Sequence, residues 1–212
     1  WEVITGTLPP LNEAAWLAEF AKYKQTPQFQ LLNFEFQLDD FKFIFFWEWF
    51  HRLWARLIGL VFAFGFIWCI IKKSFKKDMI GSLLVLFFLG ALQGLVGWIM
   101  VASGLTGDAV YVKPTRLALH FILALGLLSY TYWFALKLLV PANQIVVNKA
   151  IRKQNLLLIG LLILQLIYGA LMAGHKAANV ASTWPTINGA WLPDNLFSHQ
   201  PFLLNFIDNT IL

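Results

Sequence analysis

The sequence predicts an all-α, polytopic transmembrane helical bundle with four spans in this chain. Three observations predict it. Of 212 residues, 59% are hydrophobic and only 13% are charged, against about 25% charged in a soluble domain. Four apolar runs are long enough to cross a bilayer, which takes roughly 20 residues each. Seven basic residues, Lys72, Lys73, Lys76, Lys77, Lys149, Arg152 and Lys153, gather in two short loops between those runs, as the positive-inside rule expects of cytoplasmic loops. The same grouping argues against a nucleic-acid surface. The net charge of +5 sits at the ends of apolar segments, where the expected partner is membrane lipid. The single cysteine, Cys69, falls near the inner end of a span and reads as a small packing residue. The chain opens at Trp1 without a signal-peptide pattern, which leads us to expect part of a longer protein.

Residues 1–43 are too mixed to span and form an extracytoplasmic segment. Within them Asn12 has the character of an N-cap, starting a short helix that runs to about Lys24. Trp16, Leu17, Phe20 and Ala21 would form its apolar face and Pro27 would stop it; such a helix lies on the membrane surface or belongs to an ordered extramembrane loop. Helix A then covers about residues 44–71, helix B 80–101, helix C 114–139 and helix D 155–174. Helices A to C, residues 44–140, carry the candidate site. Residues 141–154 form a basic cytoplasmic loop, 155–174 the first span of a second half, and 175–212 an extracytoplasmic loop. The basic loops place residues 1–43, 102–113 and 175–209 outside. Trp47, Trp49 and Trp54 crowd the outer end of helix A as an interfacial belt does. Small residues at helical spacing, Gly90, Gly94 and Gly97 on helix B and Gly169, Ala173 and Gly174 on helix D, would allow close helix contact. Gln93, Gly97 and Met100 recur in spacing as Gln165, Gly169 and Met172, a weak hint of two related halves.

Ionisable groups inside spans cost about 2.5–3.5 kcal/mol at the centre on insertion scales, and they usually serve a function. Helix A carries Glu48, His51, Arg52 and Arg56; helix C carries Arg116 and His120. His51 lies seven residues past Ile44, and His120 six past Pro114. At about 1.5 Å per residue both would sit roughly 10 Å below the outer end of their helices, which run parallel. Two level histidines on parallel helices suit bis-imidazole heme ligation, one neutral ring nitrogen to each axial position of the iron. Arg52, Arg56 and Arg116, on the outward halves of the same helices, suit the heme propionates. The plain alternatives are histidines bonded to a neighbouring helix and arginines reaching the headgroups. Glu48, three residues before His51 and four before Arg52, is either a simple partner of Arg52 or an acid at the heme edge. His175 and His199 fall in outer loops and read as surface or interface histidines.

These residues resemble the heme A synthase family, membrane enzymes of cytochrome oxidase assembly that convert heme O to heme A. The resemblance runs from Trp1-Glu2-Val3-Ile4-Thr5-Gly6-Thr7-Leu8-Pro9-Pro10 through Tyr23-Lys24-Gln25-Thr26-Pro27. Its most specific stretch is Asp40-Phe41-Lys42-Phe43-Ile44 followed by Glu48-Trp49-Phe50-His51-Arg52. It continues in Arg116-Leu117-Ala118-Leu119-His120, in Gly169-Ala170-Leu171-Met172-Ala173-Gly174 and in the loop from Trp184 to Pro193. The resemblance implies an oxidoreductase whose amino-terminal half holds the substrate heme on His51 and His120, with Glu48 the acidic residue near it. A ring methyl of heme O would become the formyl group of heme A by successive hydroxylations and loss of water. It also implies a bacterial plasma membrane or a mitochondrial inner membrane, with the heme site towards the outer face, an electron donor of unknown kind, and heme O synthase as a further partner.

The resemblance further implies eight spans in two pseudo-symmetric four-helix halves. A second histidine pair would bind a heme b cofactor beyond Leu212, and the family's span before helix A is absent from this chain. The cysteine pairs found in the outer loops of some bacterial members have no counterpart here. The competing reading is a non-catalytic bis-histidine cytochrome b, an electron-transfer subunit, which needs the same histidines and arginines and has no use for Glu48. A transporter or assembly factor with a buried polar network is a third.

Overall fold

The computed structural model describes residues 8–104 and 109–209. Residues 1–7, which open the resemblance, 105–108, within the segment 102–113 expected outside, and 210–212 lie outside the described residues. Every element named among the described residues is a helix. Four of these are long and apolar enough to cross a membrane: Leu38–Ile71, Lys77–Ala102, Pro114–Leu139 and Lys149–Gly174. The protein is an integral membrane protein. The chain divides into two compact units, Trp1–Tyr111 and Val112–Leu212.

The first unit holds α1 (Glu13–Lys24), α2 (Pro27–Leu31), α3 (Leu38–Ile71) and α4 (Lys77–Ala102). Asn12 caps α1 as expected, its side-chain oxygen accepting from the Ala15 amide at 2.8 Å. Pro27 does not simply end that helix. It occupies the first turn of α2, where its missing N–H costs nothing, while the Thr26 hydroxyl accepts from the Phe29 amide at 3.3 Å. Helix α1 packs against protein. Phe20 and Tyr23 stack on Phe41 of α3 with ring centroids 5.3 and 5.1 Å apart. Trp16 meets Phe45 edge-on at 5.0 Å. The face drawn from sequence is therefore half right: Trp16 and Phe20 turn inward, whereas Leu17 is 52% exposed. Phe41, at 2% exposure, is the centre of this cluster; truncating such a ring to alanine costs about 3–5 kcal/mol.

Helix α3 begins at Leu38, six residues before the expected start. Asp40, in its first turn, accepts from the Gln37 amide at 2.9 Å and favours the positive end of the helix dipole. Hydropathy alone marks only the part that lipid surrounds, so the polar start was invisible to it. With 34 residues, α3 is about 51 Å long against a hydrocarbon core of about 30 Å. Its first turns, bearing Phe41 and Phe45, thus serve the extramembrane aromatic cluster. A five-residue turn leads into α4, and Phe62 of α3 stacks on Phe87 of α4 at 6.4 Å. Such a short connection makes the two helices antiparallel neighbours.

The second unit holds α5 (Pro114–Leu139), α6 (Lys149–Gly174), α7 (Ala177–Val180) and α8 (Asn205–Asp208), with single 3₁₀ turns at Ala142–Gln144 and Phe202–Leu204. Helix α6 begins at Lys149, capped by the Asn148 side chain, which accepts from the Ala150 and Ile151 amides. Lys149, Arg152 and Lys153, expected in a loop, are therefore the first turns of this helix. Helices α5 and α6 meet through Ala118, Ala170 and Leu171, all under 9% exposed. Among the small residues singled out by spacing, Gly174 is in tight contact: an added Cβ would lie 2.8 Å from Pro114. At Gly90, Gly94 and Gly169 an added Cβ would meet nothing within 4 Å, so these three do not mediate close packing.

Candidate heme site

On α3 the polar side chains follow the aromatic cluster directly. Glu48 and Arg52 stand one turn apart and are joined at 2.5 Å, the guanidinium donating to the carboxylate. Their side chains are 31% and 21% exposed, so the pair is partly withdrawn from solvent and less screened than a surface pair. The simple pairing expected of these two residues is thus present. It leaves the acid role of Glu48 open, because the second carboxylate oxygen remains an acceptor. Arg56 continues the same stripe one turn further and is partly buried.

His51 adjoins this pair, three residues after Glu48 and one before Arg52. Its side chain is exposed, and among the described residues its ring makes no hydrogen bond to protein. Residues four before, three after and seven after share its helix face. These are Trp47, Trp54 and Ile58, exposed by 55%, 51% and 65%. An imidazole not committed to protein, set in a row of large apolar side chains with cations one residue and five residues on, is the donor set that a flat macrocycle with two carboxylates needs. These are the residues of α3 that could hold a heme.

On α5 the local sequence separates two faces. Pro114 sits at the first helical position, where its fixed φ suits the helix. Pro114 and Ala118 turn towards α6. Arg116 and His120 are each two residues from Ala118, about 200° around the helix, so they lie on the side turned away from α6. Both are partly buried, and the four-residue spacing stacks them on one face. The second unit therefore offers one imidazole with one arginine beneath it, again the donor set for an axial ligand and a propionate partner. The structure brings together Glu48 with Arg52 on α3 and sets Arg116 and His120 one turn apart on α5; His51 belongs to the first unit and His120 to the second. His51 is thirteen residues past the start of α3, whose first turns serve the aromatic cluster, and His120 is six past the start of α5.

Sequence reasoning missed the residues that organise the loop after α6 in the second unit. Asn205 is fully buried, at 0% exposure. Its oxygen accepts from the His199 amide at 2.9 Å, and its NH₂ donates to the carbonyls of His199 and Phe202 at 2.9 and 2.8 Å. Asn209 donates to the carbonyls of Asn195 and Leu196 at 3.3 and 2.9 Å. His175, at the end of α6, places Nε2 3.1 Å from the Ile207 carbonyl oxygen. The available signal was an amide inside the apolar run Leu203-Leu204-Asn205-Phe206-Ile207, where a buried polar group must find partners.

The sequence matches the family described as cytochrome oxidase assembly protein over residues 1–212. It is 42% identical over 212 residues to the heme A synthase of Rhodospirillum centenum, covering 99% of this chain and 56% of that protein. It is 43% identical over 211 residues to the heme A synthase of a Bradyrhizobium species, covering 99% of this chain and 58% of that one. With the heme A synthase of Methylorubrum extorquens it shares 41% identity over 218 residues, covering 100% and 56%. The chain thus spans somewhat over half the length of these relatives. No solved structure matches it. By the match over its whole length, the chain belongs to the cytochrome oxidase assembly protein family.

Proposed function

We propose that this chain forms the substrate-heme half of a heme A synthase, an oxidoreductase that converts a ring methyl of heme O into the formyl group of heme A. The observation that carries this reading is the α3 segment in which an exposed His51 adjoins the Glu48–Arg52 pair, in a chain whose relatives are named heme A synthase. In this reading His51 and His120 are the axial ligands of the heme iron. Arg52, Arg56 and Arg116 hold the propionates, which fixes the substrate's orientation and leaves the methyl to be oxidised at the other edge. Each hydroxylation of that methyl is a monooxygenase step that inserts one atom of O₂ and reduces the other to water with two electrons from a donor; two such steps and loss of one water yield the formyl group. Glu48 is the acid of the site: one oxygen is held by Arg52, which fixes the carboxylate, and the other is left to take or return a proton.

The remaining assignments belong to the same proposal. A second four-helix half carries another histidine pair and a heme b, which supplies one-electron chemistry when bound. The basic ends of the spans face the cytoplasm or mitochondrial matrix, and the heme site faces outward. Heme O synthase delivers the substrate, and a separate donor supplies electrons. An electron-transfer cytochrome b is disfavoured, because the relatives are named as synthases and such a cytochrome has no use for Glu48.

The test is pigment extraction from the full-length protein, with mass analysis of the tetrapyrroles. Heme O, heme A and a hydroxylated intermediate are the expected content. Well-folded protein without any tetrapyrrole would overturn the reading.

A further inference from the structure

The turn joining α3 to α4 carries more charge and more fixed structure than a connection requires. Lys72, Lys73, Lys76 and Lys77 fall within six residues, and all four are exposed. The nearest acid in sequence is Asp78, which leaves an excess of three positive charges between residues 72 and 78. Among the described residues none of the four ammonium groups forms an ion pair with the protein.

The turn is held against the end of α3. The amides of Lys72, Lys73 and Ser74 donate to the carbonyls of Trp68, Ile70 and Cys69 at 2.9, 3.0 and 2.9 Å. Lys73 takes a left-handed conformation, φ 53°, which such a helix ending requires. Phe75 folds back with its ring centroid 5.8 Å from that of Phe66, which stacks in turn on Phe62. The Lys72 ammonium lies over the Trp68 ring at 5.2 Å. An orienting charge needs only to be on the correct side of the membrane, and a loose loop supplies that. Here the ammonium groups are presented on a braced turn directly between two helices long and apolar enough to span, where the apolar segments end.

We propose that residues 72–77 form a binding site for the headgroup of an anionic phospholipid, with the four lysines on its phosphate and Phe75 and Trp68 beside its first acyl carbons. Phosphate is the chemistry that ammonium groups recognise as point charges. A lipid is favoured over free phosphate because the turn sits at the rim of the hydrocarbon region and presents an aromatic floor beside the charges. This site is independent of the heme.

The test uses the full-length protein in a neutral detergent, with native mass spectrometry reading retained lipid. Phosphatidylglycerol and phosphatidylcholine of the same acyl chains are the probes, and inorganic phosphate is the competitor. Phosphatidylglycerol is expected to bind at least tenfold more tightly than phosphatidylcholine, and less tightly as salt rises. Replacing all four lysines by Gln should lose about tenfold of that preference, replacing them by Arg should keep it, and the set Lys149→Gln, Arg152→Gln, Lys153→Gln should also keep it. Inorganic phosphate should compete poorly. Equal retention of the two lipids, full retention in the four-Gln protein, or displacement by inorganic phosphate at equal concentration would each overturn the proposal. If the four-Gln protein fails to insert, the wild-type lipid preference and the pair Lys73→Gln, Lys76→Gln decide the case.

Discussion

A β-carbon on Gly174 would stand 2.8 Å from both Cα and Cβ of Pro114, so the last residue of α6 rests directly on the first residue of α5. Backbone cannot yield as a flexible side chain does. Gly174→Ala must therefore push the two helix ends apart, and overpacking of this kind costs about 1–3 kcal/mol. The displaced end of α5 carries Arg116 and His120 within its next two turns. The expected outcome is a lower unfolding temperature and weaker heme retention together, read by thermal melting and by absorbance of the purified protein. Gly169→Ala, where the added atom meets nothing within 4 Å, should leave both unchanged.

Glu48 separates an enzyme from a passive heme carrier. Glu48→Gln keeps the size of the side chain and a hydrogen-bond acceptor for Arg52, but it cannot exchange a proton at neutral pH. Heme content should stay near wild type, while conversion of heme O falls by about 10²–10⁴-fold, the range for losing a general acid or base. Product analysis alongside heme quantification checks this. Unchanged conversion would reduce Glu48 to a structural partner of Arg52.

Asn205 makes a third prediction. Its amide bonds three backbone groups of the loop after α6 and is wholly buried. Asn205→Ala leaves those groups without their partner, at about 1–3 kcal/mol for each buried group left unsatisfied. The loop preceding α8 should open locally. Limited proteolysis should then cut within residues 193–204 much faster than in the wild type, with the α5–α6 pair unaffected.

The four spans were legible because lipid imposes a length and an apolar composition that no soluble core imposes so strictly. Helix α5 was read to the residue, since Pro114 marks its start. Helix α3 was misread at its start because its first turns are stabilised by Asp40 and by the aromatic cluster around Phe41, neither of which hydropathy registers. Lys149, Arg152 and Lys153 were read as loop for a related reason: positive charge marks the end of the membrane, not the end of the helix. In the candidate site, the Glu48–Arg52 pair followed from helical spacing alone, and so did the shared face of Arg116 and His120. The knot around Asn205 did not, because its partners are backbone carbonyls and amides within an irregular loop, and no side-chain periodicity records them.

Everything proposed for the reaction depends on His51 and His120 sharing one iron, and electron paramagnetic resonance of the full-length protein tests this most directly. The account predicts that His51→Ala and His120→Ala each abolish the same low-spin ferric signal, leaving any other heme signal intact. Loss of different signals in the two proteins, or survival of the full low-spin spectrum in either, would contradict it.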